Sequence, residues 1–153
     1  MIHTSKDYLD LTTYIAKQWE DLGLIIKIDV MESAVLRNAM RNGDVGVFRA
    51  SWIADYPDGE NFLSMFYSKN PAPPNYTRYQ NASFDQLYDS AMQERVEKEK
   101  ILMYQEMDRL LVQDAPVVFL FYDEVSLFVN SDVSGLSRNA LNLLHVDGIM
   151  KRQ

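Results

Sequence analysis

The fold is decided by one stretch of the sequence, Trp52-Ile53-Ala54-Asp55-Tyr56-Pro57-Asp58-Gly59-Glu60-Asn61-Phe62. The apolar residues 45–53 predict a strand that runs into this stretch, and Pro57-Asp58-Gly59 predicts a sharp turn after it. A carboxylate at the end of a buried strand needs a partner. We therefore hypothesise that Asp55 receives a cationic group of a bound ligand, with Trp52 and Tyr56 shaping the slot around it.

The composition is that of one folded domain, with 153 residues and 47% hydrophobic content. A net charge of −7 and a pI of about 4.7 argue against a nucleic-acid or anionic-membrane partner, because such surfaces attract clustered Lys and Arg. The absence of cysteine excludes disulfides, thiolate nucleophiles and Cys-based zinc sites. No apolar run is long enough to span a membrane, and residues 1–7 lack the basic-then-apolar pattern of a secretion signal.

The first fifty residues alternate between helical and strand patterns. A helix capped by Thr4 or Ser5 is predicted over residues 8–22 with Gly23 as its stop, and a strand over residues 24–30. A second helix begins at Ser33 and stops at residues 42–43, before the strand 45–53. This alternation predicts an α/β unit with parallel strands, and Ile2-His3 is interpreted as the remnant of an earlier strand.

Two longer helices are predicted in the second half, after a short helix over residues 61–67 and a proline-rich loop over residues 69–75. Ser83 is the expected cap of the third helix, whose apolar face comprises Phe84, Leu87, Tyr88, Ala91 and Met92. The fourth helix follows the charged segment 94–100 and ends before Pro116, with an apolar face of Ile101, Tyr104, Met107, Leu110 and Leu111.

The C-terminal region carries two apolar runs and an apolar tail. The runs 117–122 and 125–129 flank Asp123-Glu124, a length that fits a two-residue hairpin although neither residue is the Gly or Asn that such a turn prefers. The tail requires a cover in this domain, in a partner or in another part of the same protein, because it contains Leu136, Leu141, Leu143, Leu144, Val146, Ile149 and Met150.

The acidic, amide and histidine side chains leave several functions open. The acids Asp55, Asp58 and Glu60, with Asn61, could supply oxygen ligands to calcium, but their spacing does not match an EF-hand loop. The same acids could form a catalytic pair, although adjacent loop acids seldom face each other across a substrate. No carboxylate or serine pattern surrounds the two histidines, and no glycine-rich phosphate loop is present. We expect no metal site, no cofactor and no enzymatic activity.

Each key residue also has a purely structural interpretation. Asp55 could bond backbone N–H groups of its own turn, and Trp52 could belong to the core. Asp58 and Glu60 are interpreted as cap or first-turn acids of the helix that contains Phe62, where they complement the helix dipole.

The motif in residues 51–62 resembles a segment of the oligopeptide- and dipeptide-binding proteins of ABC importers, the family 5 extracellular solute-binding proteins. That segment runs Gly-Trp-x-x-Asp-Tyr-x-x-Pro-x-Asn-Phe. Further similarities follow in the family's order, at residues 15–24, Tyr79, Phe84-Asp85, Tyr104 and Asp114-Ala115-Pro116-Val117-Val118. Ser51 replaces the family's Gly and Gly59 replaces its frequent Pro, which could alter the approach of the backbone to the ligand and loosen the turn.

The resemblance implies an α/β fold, a fragment of a type II periplasmic-binding-protein lobe with a mixed sheet flanked by helices. Residues 1–121 would belong to the C-terminal lobe, and residues 122–153 would form a tail that returns to the first lobe. The chain would then be about the C-terminal third of a two-lobed protein. Isolated from the rest, it is expected to self-associate through the tail or to refold it locally.

The resemblance also implies a function, the capture of extended peptides for an ABC importer. Asp55 would pair with the peptide amino terminus, and the backbone of Ser51, Trp52 and Ile53 would bond the peptide as an added strand beside Tyr56. The implied partners are a peptide and the permease subunits, and the implied location is the periplasm or the cell envelope, in some relatives as a lipoprotein. Two alternatives remain: a receptor of the same fold for a nickel chelate, sugar or other solute, and an acid-dependent hydrolase.

Overall fold

The computed structural model describes residues 1–124, 126–138, 144–145 and 147–151. Its helices are α1 (Leu9–Asp21), α2 (Ser33–Asn42), α3 (Glu60–Leu63), α4 (Ala82–Gln93) and α5 (Glu97–Asp114). Its strands are β1 (Ile2–Ser5), β2 (Ile28–Met31), β3 (Val133–Ser134), β4 (Ser137–Arg138), β5 (Leu144–His145) and β6 (Met150–Lys151). Short 3-10 helices precede α1 and follow α3. No helix in these ranges has the length and apolar character of a membrane span.

The first unit is a parallel strand pair connected through α1. Ile2 of β1 lies opposite Ile28 of β2, and the pairing continues to Ser5 and Met31. Because parallel strands need a crossover connection, α1 between them is the expected solution, and the predicted helix is confirmed. The strand predicted over residues 24–30 is shorter than expected and shifted: β2 begins at Ile28, and Ile25 is 92% exposed.

The predicted cap of α1 is wrong. Thr4 belongs to β1, is fully buried and accepts a hydrogen bond at 2.9 Å from the hydroxyl of Thr12 on α1. Ser5 makes no side-chain cap bond, and the 3-10 helix Lys6–Tyr8 separates it from α1. Thr4 therefore attaches α1 to the strand through Thr12 instead of capping the helix. The stop at Gly23 is confirmed, with a left-handed φ of 88° just beyond the end of the helix.

The strand predicted over residues 45–53 is wrong as a continuous element. Only Phe48 forms a bridge, parallel to His3, whose N–H donates to Val47 O at 2.9 Å and whose carbonyl accepts from Arg49 N at 2.9 Å. The parallel register that places His3 beside Phe48 would place Ser5, the last residue of β1, beside Ala50, so residues 51–53 have no part of β1 to pair with. Residues 45–53 have a high strand propensity, but the short neighbouring strand β1 limits how many of them can pair.

Helix α2 begins and ends where the sequence predicted. The side chain of Glu32 accepts from the N–H groups of Ala34 and Val35 at its beginning, so the cap lies one residue before Ser33. At its end, Gly43 adopts a φ of 84°, and Arg78 donates to the carbonyls of residues 40 and 41 at 3.3 and 2.8 Å. A Cβ on Gly43 would lie 2.9 Å from the guanidinium carbon of Arg78.

The larger core lies between α4, α5 and the short helix α3. Its buried members are Leu63, Phe66, Phe84, Tyr88, Ala91, Met107 and Leu111. A smaller cluster of Leu36, Met40 and Val45 lies under α2. The predicted apolar faces of α4 and α5 supply most of the larger core, because apolar residues three to four positions apart share one helix face. Met92 and Ile101, at the margins of these faces, are exposed.

The predicted cap of α4 is corrected from Ser83 to Asn81. The Oδ1 atom of Asn81 accepts hydrogen bonds from Ser83 N at 2.9 Å and Phe84 N at 3.1 Å. Asn and Ser are nearly equivalent as caps, so the local sequence did not separate these positions. Helix α5 ends as predicted before Pro116, with Ala115 in the left-handed region at a φ of 48°.

The hairpin predicted over residues 117–129 is wrong for the residues that the structure describes there, 117–124 and 126–129. None of them belongs to a strand, and Tyr122 and Phe128 are each 96% exposed. Asp123-Glu124 does not form the tight turn that would bring the two runs together. Val125 lies outside the described residues.

Short antiparallel pairs follow in the tail, β3 with β6 and β4 with β5. Of its predicted apolar residues, Ile149 and Met150 are exposed, whereas Leu141, Leu143 and Val146 lie outside the described residues. The α/β class is confirmed, with the parallel pair and the antiparallel pairs in separate two-stranded sheets. The division at residues 121 and 122 stays a prediction.

Candidate functional site

The stretch from Trp52 to Phe62, which we call the ligand loop, connects the Phe48 bridge to α3. One buried side chain organises it: Asn61, only 4% exposed. Its Oδ1 atom accepts from the indole Nε1 of Trp52 at 2.8 Å and from the backbone N–H of Asp55 at 3.3 Å. Trp52 is half-buried and takes part in this bond, so its role is more specific than simple core packing.

The carboxylate of Asp55 is exposed, and within the described part of the chain it accepts no hydrogen bond. The structural alternative, in which Asp55 bonds the backbone of its own turn, is therefore not what the structure shows. Its backbone N–H is held by Asn61, while its acidic group is left to solvent. An acid in a fixed loop with an unused carboxylate can accept a cationic group without first breaking an internal bond.

The acid that does close the turn is Asp58. Its Oδ1 atom accepts from Glu60 N and from the hydroxyl of Tyr104, each at 2.9 Å, and its Oδ2 atom lies 2.7 Å from Nζ of Lys100. Burial opposes the charged carboxylate, but the Lys100 ammonium and the two other donors outweigh burial and lower the pKa of Asp58. Asp58 precedes α3 by two residues and accepts the N–H of Glu60, the first residue of that helix, as a capping acid would. Its bonds to Lys100 and Tyr104 on α5 were not predicted.

Glu60, in the first turn of α3, joins two tyrosines. It accepts hydrogen bonds from the hydroxyls of Tyr56 in the ligand loop and Tyr88 on α4. The bond to Glu60 raises the pKa of Tyr56, and burial followed by the same carboxylate raises the pKa of Tyr88. Both phenols are thus held as neutral donors at ordinary pH.

A groove of about 290 Å³ lies between β1, α2 and the start of the ligand loop. Its polar and charged lining residues are Ser5, Ser33, Arg37, Arg49, Ser51, Trp52 and Tyr76. Two predicted site residues, Ser51 and Trp52, are brought together here. Ile53, Asp55 and Tyr56 do not line the groove; Ile53 is 78% exposed, and all three lie along the loop beyond it.

Arg49 is a groove residue that the sequence analysis missed. Its guanidinium carbon lies 3.1 Å from the ring centroid of Tyr8, and Nη1 donates to the hydroxyl of Ser51 at 3.4 Å. Its buried Nε atom has no hydrogen-bond partner among the described residues. The available signal was a charge inside an otherwise apolar run, at position 49 of residues 45–53.

The backbone of Ser51 and of the first two residues of the ligand loop makes no backbone hydrogen bond within the described residues. Within the described chain, the N–H groups of Ser51, Trp52 and Ile53 donate to no backbone carbonyl. The last such bond before them is the one from Arg49 N to the carbonyl of His3. An extended segment whose N–H and C=O groups are free is a template for another strand. The described acids and histidines contain no group of three or more that could hold a metal ion.

Comparison with known proteins connects this geometry to a family. Residues 3–74 match the family model described as bacterial extracellular solute-binding proteins, family 5 middle. The dipeptide-binding protein DppE of Bacillus subtilis is 29% identical over 124 residues, which cover 80% of this chain and 22% of that protein. The periplasmic murein peptide-binding protein MppA of Escherichia coli is 25% identical over 122 residues, covering 79% of this chain and 22% of that protein.

A solved structure agrees with these sequence matches. The ABC transporter-associated periplasmic binding protein DppA from Helicobacter pylori, in complex with the peptide STSA, superposes with a TM-score of 0.70 at 26% identity. The match covers 75% of this chain and 23% of that one. The chain therefore has the fold of part of a type II periplasmic binding protein, and it spans less than a quarter of the length of these relatives.

Proposed function

We propose that this chain, whose residues 3–74 match the family 5 extracellular solute-binding proteins, belongs to that family and forms part of the binding lobe of an ABC importer's solute receptor. The three relatives described above are named as binding proteins for peptides or are bound to one, and none is named as an enzyme. We propose that the ligand here is also an extended peptide, and that Asp55 pairs with its amino terminus.

The observation that carries this proposal is the exposed, unused carboxylate of Asp55 beside free backbone. A peptide of any sequence offers one ammonium group and a regular series of N–H and C=O groups. The unpaired backbone of Ser51, Trp52 and Ile53 suits the main chain of such a ligand. The carboxylate supplies a charged hydrogen bond, which contributes about 1.5–3 kcal/mol and fixes the register.

The ligand loop is suited to this role because its other acids are occupied. Asp58 bonds Lys100, Tyr104 and the start of α3, and Glu60 bonds two tyrosines. Asp55 is thus the one acid of the loop whose carboxylate, within the described part of the chain, has no internal partner. Its position is restrained through the bond from its N–H to Asn61, which reduces the ordering cost of binding.

The test is peptide binding by the complete protein that contains this chain. A tripeptide with a free amino group should bind at least tenfold more tightly than its N-acetylated form, and Asp55→Asn should weaken binding of the free form by more than tenfold. Asp21→Asn, an exposed acid at the end of α1, is the matched control and should leave both affinities unchanged. Equal affinity for the two peptides would contradict the role of Asp55 and favour another solute.

The location and protein partners belong to the same proposal. We propose that the complete protein works in the periplasm or attached to the cell envelope and delivers its ligand to permease subunits. Two of the relatives are named as periplasmic, and one as associated with an ABC transporter. Reconstituted permease should hydrolyse ATP faster in the presence of the liganded complete protein than with the permease alone.

We also propose that the exposed apolar segment around Phe119, Phe121, Tyr122 and Phe128 is covered in the complete protein, and that it causes self-association of the isolated chain. These aromatic side chains are all more than half exposed, and exposed apolar side chains in one segment favour association in water. The isolated chain should sediment as a dimer or larger species, and Phe121→Lys combined with Phe128→Lys should shift it to the monomer. A monomer before substitution would contradict the proposal.

A further inference from the structure

The ligand loop is attached at two points to the helix pair α4–α5, and both attachments use loop acids. Lys100 and Tyr104 lie one turn apart on α5, so both project from the same face, and both bond Asp58, at 2.7 and 2.9 Å. Tyr88 on α4 bonds Glu60. The loop therefore contacts each member of the pair through a separate carboxylate.

The contact with α5 also depends on shape. A Cβ on Gly59 would lie 3.2 Å from the ring carbon Cδ2 of Tyr104, so the ring packs closely against this glycine. Asp58 lies next to Gly59 in the chain and bonds the hydroxyl of the same tyrosine. The Tyr104 side chain thus contacts the turn with its ring and with its oxygen, which limits the movement of the turn relative to α5.

A chain of bonds continues from these attachments to the site. Glu60 accepts from Tyr88 on one side and from Tyr56 on the other, and Tyr56 directly follows Asp55 in the chain. On the other flank, Asn61 of α3 holds the N–H of Asp55. Asp55 is therefore restrained through its own N–H and through the next residue, Tyr56, while its carboxylate has no hydrogen bond within the described residues.

We propose that Tyr88, Lys100 and Tyr104 are positioning residues, which hold the ligand loop so that the carboxylate of Asp55 meets the ligand's cationic group. This inference rests on the proposed function. None of the three needs to touch the ligand, because each acts through Asp58 or Glu60. Their effect should thus appear in the recognition of the amino group more than in the contacts of the peptide with the backbone.

Charge supports the same assignment. The carboxylate of Asp58 raises the pKa of Lys100, so the ion pair is complete at neutral pH. Burial, and also the hydrogen bond to Asp58, favour the protonated Tyr104, whose pKa is about 12 even though Lys100 favours ionisation. The attachments are thus intact at neutral pH, where a peptide amino group is also protonated.

The experiment measures amine discrimination, the ratio of the Kd for an N-acetylated tripeptide to the Kd for the free tripeptide, on the complete protein. Lys100→Met, Tyr104→Phe and Tyr88→Phe should each lower this ratio at least threefold. Lys100→Arg keeps a cationic donor, so its discrimination ratio should stay within twofold of that of the unsubstituted protein. Lys98→Met removes an exposed lysine from the same helix and should leave the ratio unchanged.

The readout separates positioning from simple stability, since a loss of folded protein lowers both affinities together and leaves their ratio intact. Should Lys100→Met fail to fold, the two Tyr→Phe variants, which keep the rings, provide the same test. A ratio near one in the unsubstituted protein would overturn the proposed function. A large ratio that all three substitutions preserve would overturn the positioning role alone.

Discussion

The indole Nε1 of Trp52 donates to the side-chain oxygen of Asn61 at 2.8 Å, across a separation of nine residues in the chain. This bond joins the beginning of the ligand loop to its end. The same oxygen receives the N–H of Asp55, so one buried amide fixes both the aromatic residue and the acid proposed to meet the ligand. The loop is thus ordered from within before any ligand is present.

Asn61→Ala should destabilise the protein by about 1–3 kcal/mol, because two donors lose a buried acceptor. Urea denaturation gives the free energy of unfolding directly. Asn38→Ala removes an exposed asparagine from α2 and should change stability by less than about 0.5 kcal/mol. If both variants unfold at the same urea concentration as the unsubstituted protein, Asn61 does not organise the loop.

Asp58→Asn should make the protein less stable at neutral pH and should lose much of this effect in acid. The folded-state pKa of Asp58 is lowered, so its charged form adds stability that is present above its unfolded pKa of about 3.8 and is lost as pH falls through the lower folded value. Because the pair with Lys100 is partly exposed, we expect about 1 kcal/mol at pH 7.

Urea midpoints at pH 7, 4 and 2.5 check this prediction. The gap between the Asp58→Asn variant and the unsubstituted protein should narrow steadily toward pH 2.5. Asp21→Asn removes an equal charge from an exposed site and serves as the reference. A gap of constant size at all three pH values would show that ionisation of Asp58 contributes nothing.

Asn81→Ala should cost about 1 kcal/mol of stability, since the N–H groups of Ser83 and Phe84 lose their common acceptor at the start of α4. Ser83→Ala should change stability by less than about 0.5 kcal/mol, because its side chain is exposed and does not cap the helix. Thermal unfolding followed by circular dichroism compares the two. A larger loss of stability for Ser83→Ala than for Asn81→Ala would identify Ser83 as the cap instead.

Gly43→Ala should destabilise the protein by about 1 kcal/mol or more, through its positive φ and through the collision of the new methyl group with Arg78. In a background of Arg78→Ala the collision disappears, and the cost should fall by at least about 0.5 kcal/mol. A double-mutant cycle measured by urea denaturation gives this coupling. Strictly additive effects would indicate that only the backbone angle matters.

The helices were predictable because their signals are local. Apolar spacing and the stops at Gly23, Gly43 and Pro116 fix α1, α2 and α5 to within a residue or two. The cap of α4 was not predictable, because Asn81 and Ser83 are both good caps and only the folded backbone selects one.

The long-range features could not be predicted, for a different reason. The strand propensity of residues 45–53 says nothing about whether a neighbouring strand is available, and β1 ends too early to supply one. Within the loop, Asp55 was singled out from the motif itself. The attachment of Asp58 to Lys100 spans 42 residues, and no local pattern connects such distant positions.

The close approach of Gly43 and Arg78 has a consequence for the history of this sequence. A side chain at position 43 requires the guanidinium of Arg78 to move aside, so it is accommodated at lower cost once the arginine has been replaced by a shorter residue. Among descendants of a common ancestor, we expect a non-glycine residue at position 43 to occur together with a smaller residue at position 78. Residues at these two positions would then vary together, because the end of α2 contacts a loop 35 residues further along the chain.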